Sequence, residues 1–185
     1  MAGLSREEFV PKNEVIKIGD RAPDFELRTD SDELWSLADH VGKVRVLLFY
    51  PQNETLVCTR QLCSVRDNWH QYLETKAEIV GISPSSPDEH RKFASSRNLP
   101  IPLLADPNRE TTKLYGKHWL YPIQMTRAIV VIDAKGIVRT RGIMLRAFRP
   151  KDDEVLAAIY AARGDAMHDK LSAMRTRRIN IFRKS

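Results

Sequence analysis

Residues 44–63 read VRVLLFYPQNETLVCTRQLC, and strand, loop and helix signals follow one another within them. Positions 44–50 form a continuous run, rich in β-branched and aromatic side chains, of the length expected for a strand buried on both faces. Pro51 closes it. From there apolar residues recur at Val57, Leu62, Val65, Trp69, Tyr72 and Leu73, a spacing that predicts a helix to about Glu74. Both cysteines of the chain, Cys58 and Cys63, fall near its start. A central strand that feeds a helix marks an α/β unit, and the helix N-terminus gathers unpaired N–H groups where reactive groups collect.

The flanking sequence repeats this alternation. Phe25 and Leu27, an Asp-rich turn, then Leu34 and Trp35 predict an N-terminal β-hairpin. AEIVGIS at 77–83 predicts another buried strand, and SSPDEHRKFASSRN behind it opens with serines, a proline and acids, the chemistry of a helix start. IPLLAD predicts a short strand and PNRETTKLYG a short helix stopped at Gly116. RAIVVIDAKGIVRTRGIML predicts a hairpin turning at 133–136, and PKDDEVLAAIYAAR a last helix ended by Gly164. The fold class is therefore α/β, a central mixed β-sheet flanked by helices, with right-handed crossovers between parallel neighbours.

With 185 residues and 42% hydrophobic composition, the chain suits one domain whose core needs no disulfide staples. The N-terminal stretch has no apolar h-region and no run of about 18 apolar residues occurs, so neither a secretory signal nor a membrane span is expected, and a cytoplasmic location is. Two cysteines are too few for a four-thiolate zinc site. His40, His70, His90, His118 and His168 show no paired metal-ligand spacing, so no metal or other cofactor is expected. Net charge is +6, yet Arg175, Arg177, Arg178, Arg183 and Lys184 crowd a C-terminal end that carries no acid. The basic character belongs to that tail, whose simplest reading is a solvated end; contact with nucleic acid or an acidic surface is the competing one. The expected organisation is an extension over 1–15, one domain over 16–165 and a basic tail over 166–185.

Cys58 falls in the first turn of the predicted helix, where the macrodipole and free N–H donors favour a thiolate. An ordinary thiol is only a few per cent ionised at pH 7, and making it mostly thiolate takes roughly 3.4 kcal/mol of differential stabilisation. The dipole supplies about 0.3–1 kcal/mol, or about 2 in a partly buried site. A hydrogen bond from a hydroxyl or a guanidinium adds about 1.5–3 kcal/mol when one partner is charged. The chain offers Thr55, three residues before Cys58, and Arg127 at the start of RAIVVID, while Pro51 stiffens the strand exit and shields the site from water.

In this arrangement Pro51-x-x-x-Thr55-x-x-Cys58 resembles the active-site motif of the peroxiredoxins, and Arg127 before the VVID strand matches that family's companion arginine. GDRAPDFEL is similar to the family's opening strand, and the likeness runs from about residue 16 to about 163. Cys58-x4-Cys63 resembles the bacterioferritin-comigratory, or Q-type, subgroup of this AhpC/TSA family, in which the resolving cysteine lies on the same helix. The resemblance implies a thioredoxin-like fold, a peroxidatic Cys58 and a resolving Cys63. It further implies hydrogen peroxide or organic hydroperoxides as substrate, thioredoxin or a similar dithiol protein as reductant, and a monomer or homodimer. Gln61 departs from the glutamate that many relatives carry, and Leu56 and Val57 replace the usual small pair before the cysteine. The rival expectation is a thioredoxin-fold metal-binding or interaction protein without peroxide turnover, which calls for a histidine beside the cysteine pair.

Overall fold

Strand β3 (Arg45–Phe49) shows why the central run carries no apolar–polar alternation: Val46 and Leu48 enter one core, and Leu47 and Phe49 enter another on the opposite face. The computed structural model describes residues 15–53, 56–118, 120, 122–145 and 147–164. The basic tail, almost all of the N-terminal extension and Thr55 lie outside the described residues. The other strands are β1 (Glu26–Thr29), β2 (Leu34–Ser36), β4 (Glu78–Ser83), β5 (Leu103–Ala105), β6 (Thr126–Ile132) and β7 (Val138–Leu145). They form one sheet in the order β2-β1-β5-β4-β3-β6-β7, parallel between β3, β4 and β5 and antiparallel elsewhere. The N-terminal hairpin pairs Leu27 with Trp35.

Helices α1 (Leu56–Asp67), α2 (Trp69–Thr75), α3 (Pro87–Arg97) and α5 (Asp152–Arg163) cover the Val46 face, where Leu62, Val65, Tyr72, Phe93 and Ile159 fill the core. Helix α4 (Glu110–Gly116) covers the other face, placing Tyr115 against Phe49. The helical spacing from Val57 to Glu74 is thus realised as two helices, not one. Asn68 is the reason: its backbone N–H and its side-chain Nδ2 both donate to the Ser64 carbonyl, at 3.0 and 2.9 Å, and its own φ/ψ of −105°/18° leaves the helical path.

Two sequence features fix the ends that matter. The last hairpin turns at Asp133, whose Oδ1 accepts from the backbone N–H of Lys135 and Ile137, while Gly136 takes the positive φ of 87°. Helix α3 begins with a reciprocal cap: Glu89 N donates to Ser86 Oγ, and Ser86 N donates to Glu89 Oε2 at 2.7 Å. The cap sets the helix phase so that His90, Phe93 and Ala94 face inward.

Because β3, β4 and β5 run parallel, the loops after all three collect at one edge of the sheet. Antiparallel β6 starts at that same edge, with Ala128 opposite Phe49, so Arg127 lies one step beyond the end of β3. Among the described residues no helix is long and apolar enough to cross a membrane. Gly81 in β4 gives Tyr50 its place, since a Cβ there would stand 2.7 Å from Leu103 Cδ2 and 3.2 Å from Tyr50 Cε1. Gly81→Ala is expected to overpack this point and lower stability by about 1–3 kcal/mol, read from the midpoint of urea unfolding.

Candidate active site

The site forms where the chain leaves β3. Tyr50 N still donates to Ile82 O of β4 at 3.0 Å, so the strand is held to its last residue before Pro51 turns the chain away. Pro51 is buried, and α1 opens at Leu56, with Cys58 in its first turn as the spacing requires. Leu56 itself is 77% exposed, whereas Cys58 is fully buried.

Arg127 reaches this thiol from β6. Its Nη2 donates to Cys58 Sγ at 2.9 Å and its Nη1 donates to Gln61 Oε1 at 2.6 Å. Cys58 and Gln61 are three apart on α1, hence on one face, and a single planar guanidinium spans both. Arg127 is only 1% exposed. Removing a guanidinium from water costs several kcal/mol, and good acceptors at both forks offset that cost; an anionic sulfur does so best. Gln61 Oε1 supplies an acceptor without formal charge, so it holds the fork without competing with sulfur for the positive charge. Gln61 Nε2 is a buried donor without a partner beside this group.

Cys63 is half-buried on the same continuous helix, and the two cysteines are not joined by a disulfide. Five positions along an α-helix separate Cα atoms by about 8–9 Å, beyond the roughly 4.4–6.8 Å a disulfide spans. The far end of α1 is anchored differently. Ser64 Oγ, Asn68 Nδ2 and Tyr72 Oη all donate to the Asp152 carboxylate at the start of α5, the last at 2.7 Å. Arg66 Nη1 donates to Arg97 O of α3 at 2.7 Å. Burial pushes the Tyr72 hydroxyl above the usual range, and the bonded Asp152 adds to the rise, so Tyr72 remains a neutral donor.

The structure therefore brings together Cys58 and Arg127, with Pro51 at the strand exit and Cys63 further along the helix; Thr55 lies outside the described residues. Pro51 carries a contact the sequence did not announce: half-buried Arg109 reaches its carbonyl through Nη2 at 3.5 Å. Gln61 is visible in sequence only as a departure from a pattern, and its grip on Arg127 needs the fold. Beneath the loop lie Tyr50, Asn53, Ser83 and His90, all buried and polar. The available signal was the inward phase of His90 with Phe93 and Ala94. An open cleft of about 370 Å³ elsewhere, lined by Asp24, Asp106, Glu110 and neighbours, includes none of the motif residues. Among the described residues no three His, Cys, Asp or Glu side chains converge in a manner suited to a metal ion.

A mixed sheet with helices on both faces, and a buried thiol gripped by an arginine at the strand-to-helix junction, define a thioredoxin-like protein built around one cysteine. The AhpC/TSA family model matches residues 18–141. The chain is 37% identical over 131 residues to peroxiredoxin Bcp of Bacillus subtilis, an alignment covering 66% of this chain and 82% of that one. It is 36% identical over 149 residues to chloroplastic peroxiredoxin Q of Populus jackii, covering 79% and 69%. The crystal structure of peroxidoxin BcpB from Mycobacterium tuberculosis superposes with a TM-score of 0.68 at 29% identity, over 80% of this chain and 99% of the other. The chain belongs to the AhpC/TSA family, and its relatives are peroxiredoxins of the Bcp and Q type.

If Arg127 holds the sulfur as its geometry shows, alkylation of Cys58 at pH 7 in a Cys63→Ser background falls about tenfold or more in Arg127→Ala. Arg127→Lys restores only part of it, because a point charge cannot bridge Cys58 and Gln61 together. Rates of iodoacetamide labelling measure both.

Proposed function

We propose that the protein is a thiol peroxidase that reduces hydrogen peroxide and organic hydroperoxides through Cys58. The observation that carries this reading is the 2.9 Å contact from the buried Arg127 guanidinium to Cys58 Sγ at the first turn of α1. In the first step the Cys58 thiolate attacks one peroxide oxygen; the S–O bond forms as the O–O bond breaks, and the departing oxygen leaves as water or alcohol after taking a proton. Sulfur is oxidised to the sulfenic acid and the peroxide is reduced. Arg127 and Thr55, with Pro51 shielding the site, are the groups that hold the peroxide and stabilise charge on the leaving oxygen. Support for Thr55 and Pro51 comes from the match to the family motif, together with the burial of Pro51.

In the second step the Cys63 thiol displaces water from the sulfenic acid and forms an intrachain disulfide. A dithiol protein, thioredoxin or one like it, then returns both cysteines to thiols by exchange. Closure requires Cys58 to travel, because the intact helix holds the two Cα atoms too far apart. The anchoring bonds from Ser64, Arg66 and Asn68 confine that unwinding to the N-terminal part of α1.

Stopped-flow oxidation with hydrogen peroxide, followed by mass analysis, tests the cycle: the expected product is a Cys58–Cys63 bridge. Cys58→Ser abolishes turnover, and Cys63→Ser gives one turnover and then sulfinic acid. Sustained turnover of Cys63→Ser with a thioredoxin system would remove the resolving role. Amide exchange comparing reduced and oxidised protein is expected to show lost protection over 57–63 and retained protection beyond Ser64. Equal protection in both redox states would refute the unwinding.

A further inference from the structure

The four buried polar side chains under the motif loop form a closed network, in which Tyr50 Oη also lies 3.4 Å from His90 Nδ1. Tyr50 Oη, which has one proton, donates to Asn53 Oδ1 at 2.9 Å. The Asn53 amide then presents Nδ2 to His90 Nδ1 at 3.2 Å, so Nδ1 accepts and the ring proton sits on Nε2, 3.4 Å from Ser83 Oγ. His90 is fully buried, and Asn53 is 8% exposed in the loop between Pro51 and Thr55. One histidine thereby ties the motif loop to β4 and α3.

We propose that His90 is a positioning residue for the peroxide step: as a neutral acceptor it pins Asn53, and with it the 51–53 segment that presents Cys58, and a proton on Nδ1 releases that segment. The inference rests on the assignment of Cys58 as the peroxide-reactive thiol. A protonated ring sets two N–H donors face to face. Relief requires the Asn53 amide to turn over, which removes the acceptor of the Tyr50 proton, or the Tyr50 hydroxyl, 3.4 Å from Nδ1, to accept in its place; either way the Asn53 Nδ2 hydrogen bond to the ring is lost. Burial pushes His90 below the usual histidine range, against hydrogen bonds to the backbone of Ser83 and Leu104 and the charges of Asp30 and Glu89, which act the other way. Burial also pushes the Tyr50 hydroxyl up, so it stays a neutral donor throughout. The sign follows: the folded value is depressed, so the clamp is intact above the ordinary histidine range and is lost as pH falls through the folded value.

The test uses the full chain carrying Cys63→Ser. Stopped-flow oxidation by hydrogen peroxide is measured from about pH 5 to 8, and each rate is divided by the thiolate fraction found by alkylating the same protein. The corrected rate with His90 and Asn53 in place is expected to fall roughly tenfold towards acid, the scale of one lost buried hydrogen bond. His90→Gln keeps an amide acceptor for Asn53 and cannot titrate, so its corrected profile is expected to be flat. Asn53→Asp accepts from both Tyr50 and protonated His90, and its profile is expected to reverse, faster in acid. A flat profile with both residues in place, or an acid limb that persists in His90→Gln, overturns the proposal. Should His90→Gln not fold, the near-isosteric Asn53→Asp decides by the presence or absence of reversal. Fast oxidation with unaltered profiles removes only the histidine's role, whereas slow oxidation at every pH, before any substitution of His90 or Asn53, overturns the assignment of Cys58 as well.

Discussion

The site depends on a guanidinium placed where water does not reach. Arg127 is almost wholly buried on β6, and the hydrogen bonds of its fork run to a sulfur and a neutral amide oxygen on α1. A buried cation is costly unless good acceptors meet it, so the arginine depends on the sulfur and the amide oxygen that face its fork. The rest of the fold reads as the apparatus that holds these two groups 2.9 Å apart from positions 69 residues distant in the chain. Parallel β3 delivers the helix start, and antiparallel β6 begins at the same sheet edge.

In the proposed cycle, that arrangement sets a conflict inside α1. The first turn must be ordered to bury Cys58 against Arg127, yet an ordered helix keeps Cys58 and Cys63 out of disulfide range. The helix meets both needs by being held unequally. Beyond Cys63 the Asp152 carboxylate gathers donors from Ser64, Asn68 and Tyr72, and Arg66 reaches across to α3. Before it, the arginine's fork and the packing of Cys58 and Leu62 hold the helix, while Leu56 stands in solvent.

Under the loop the solution is different in kind. Tyr50, Asn53, Ser83 and His90 carry no net charge when the ring is neutral, and their polar groups are paired with one another, so the cluster can sit in the core without an unpaired donor. Its rigidity depends on one protonation state. A loop held by apolar packing alone would not have that sensitivity.

The sequence by itself determined much of this protein. The doubly apolar β3 run, the alternating strands and helices, the caps at Ser86 and Gly164 and the 133–136 turn are local patterns, and burial and backbone geometry leave them few alternatives. The motif residues Pro51 and Cys58, and Arg127, were legible because residue type and spacing coincide with a strand-to-helix junction. The break at Asn68 was not, because apolar periodicity is blind to a side chain that captures a backbone carbonyl. Nor were the Gln61–Arg127 fork, the Asp152 anchor or the His90 network. Each joins residues from elements far apart in sequence, and only the sheet order and the phase of each helix bring their polar atoms within hydrogen-bond reach.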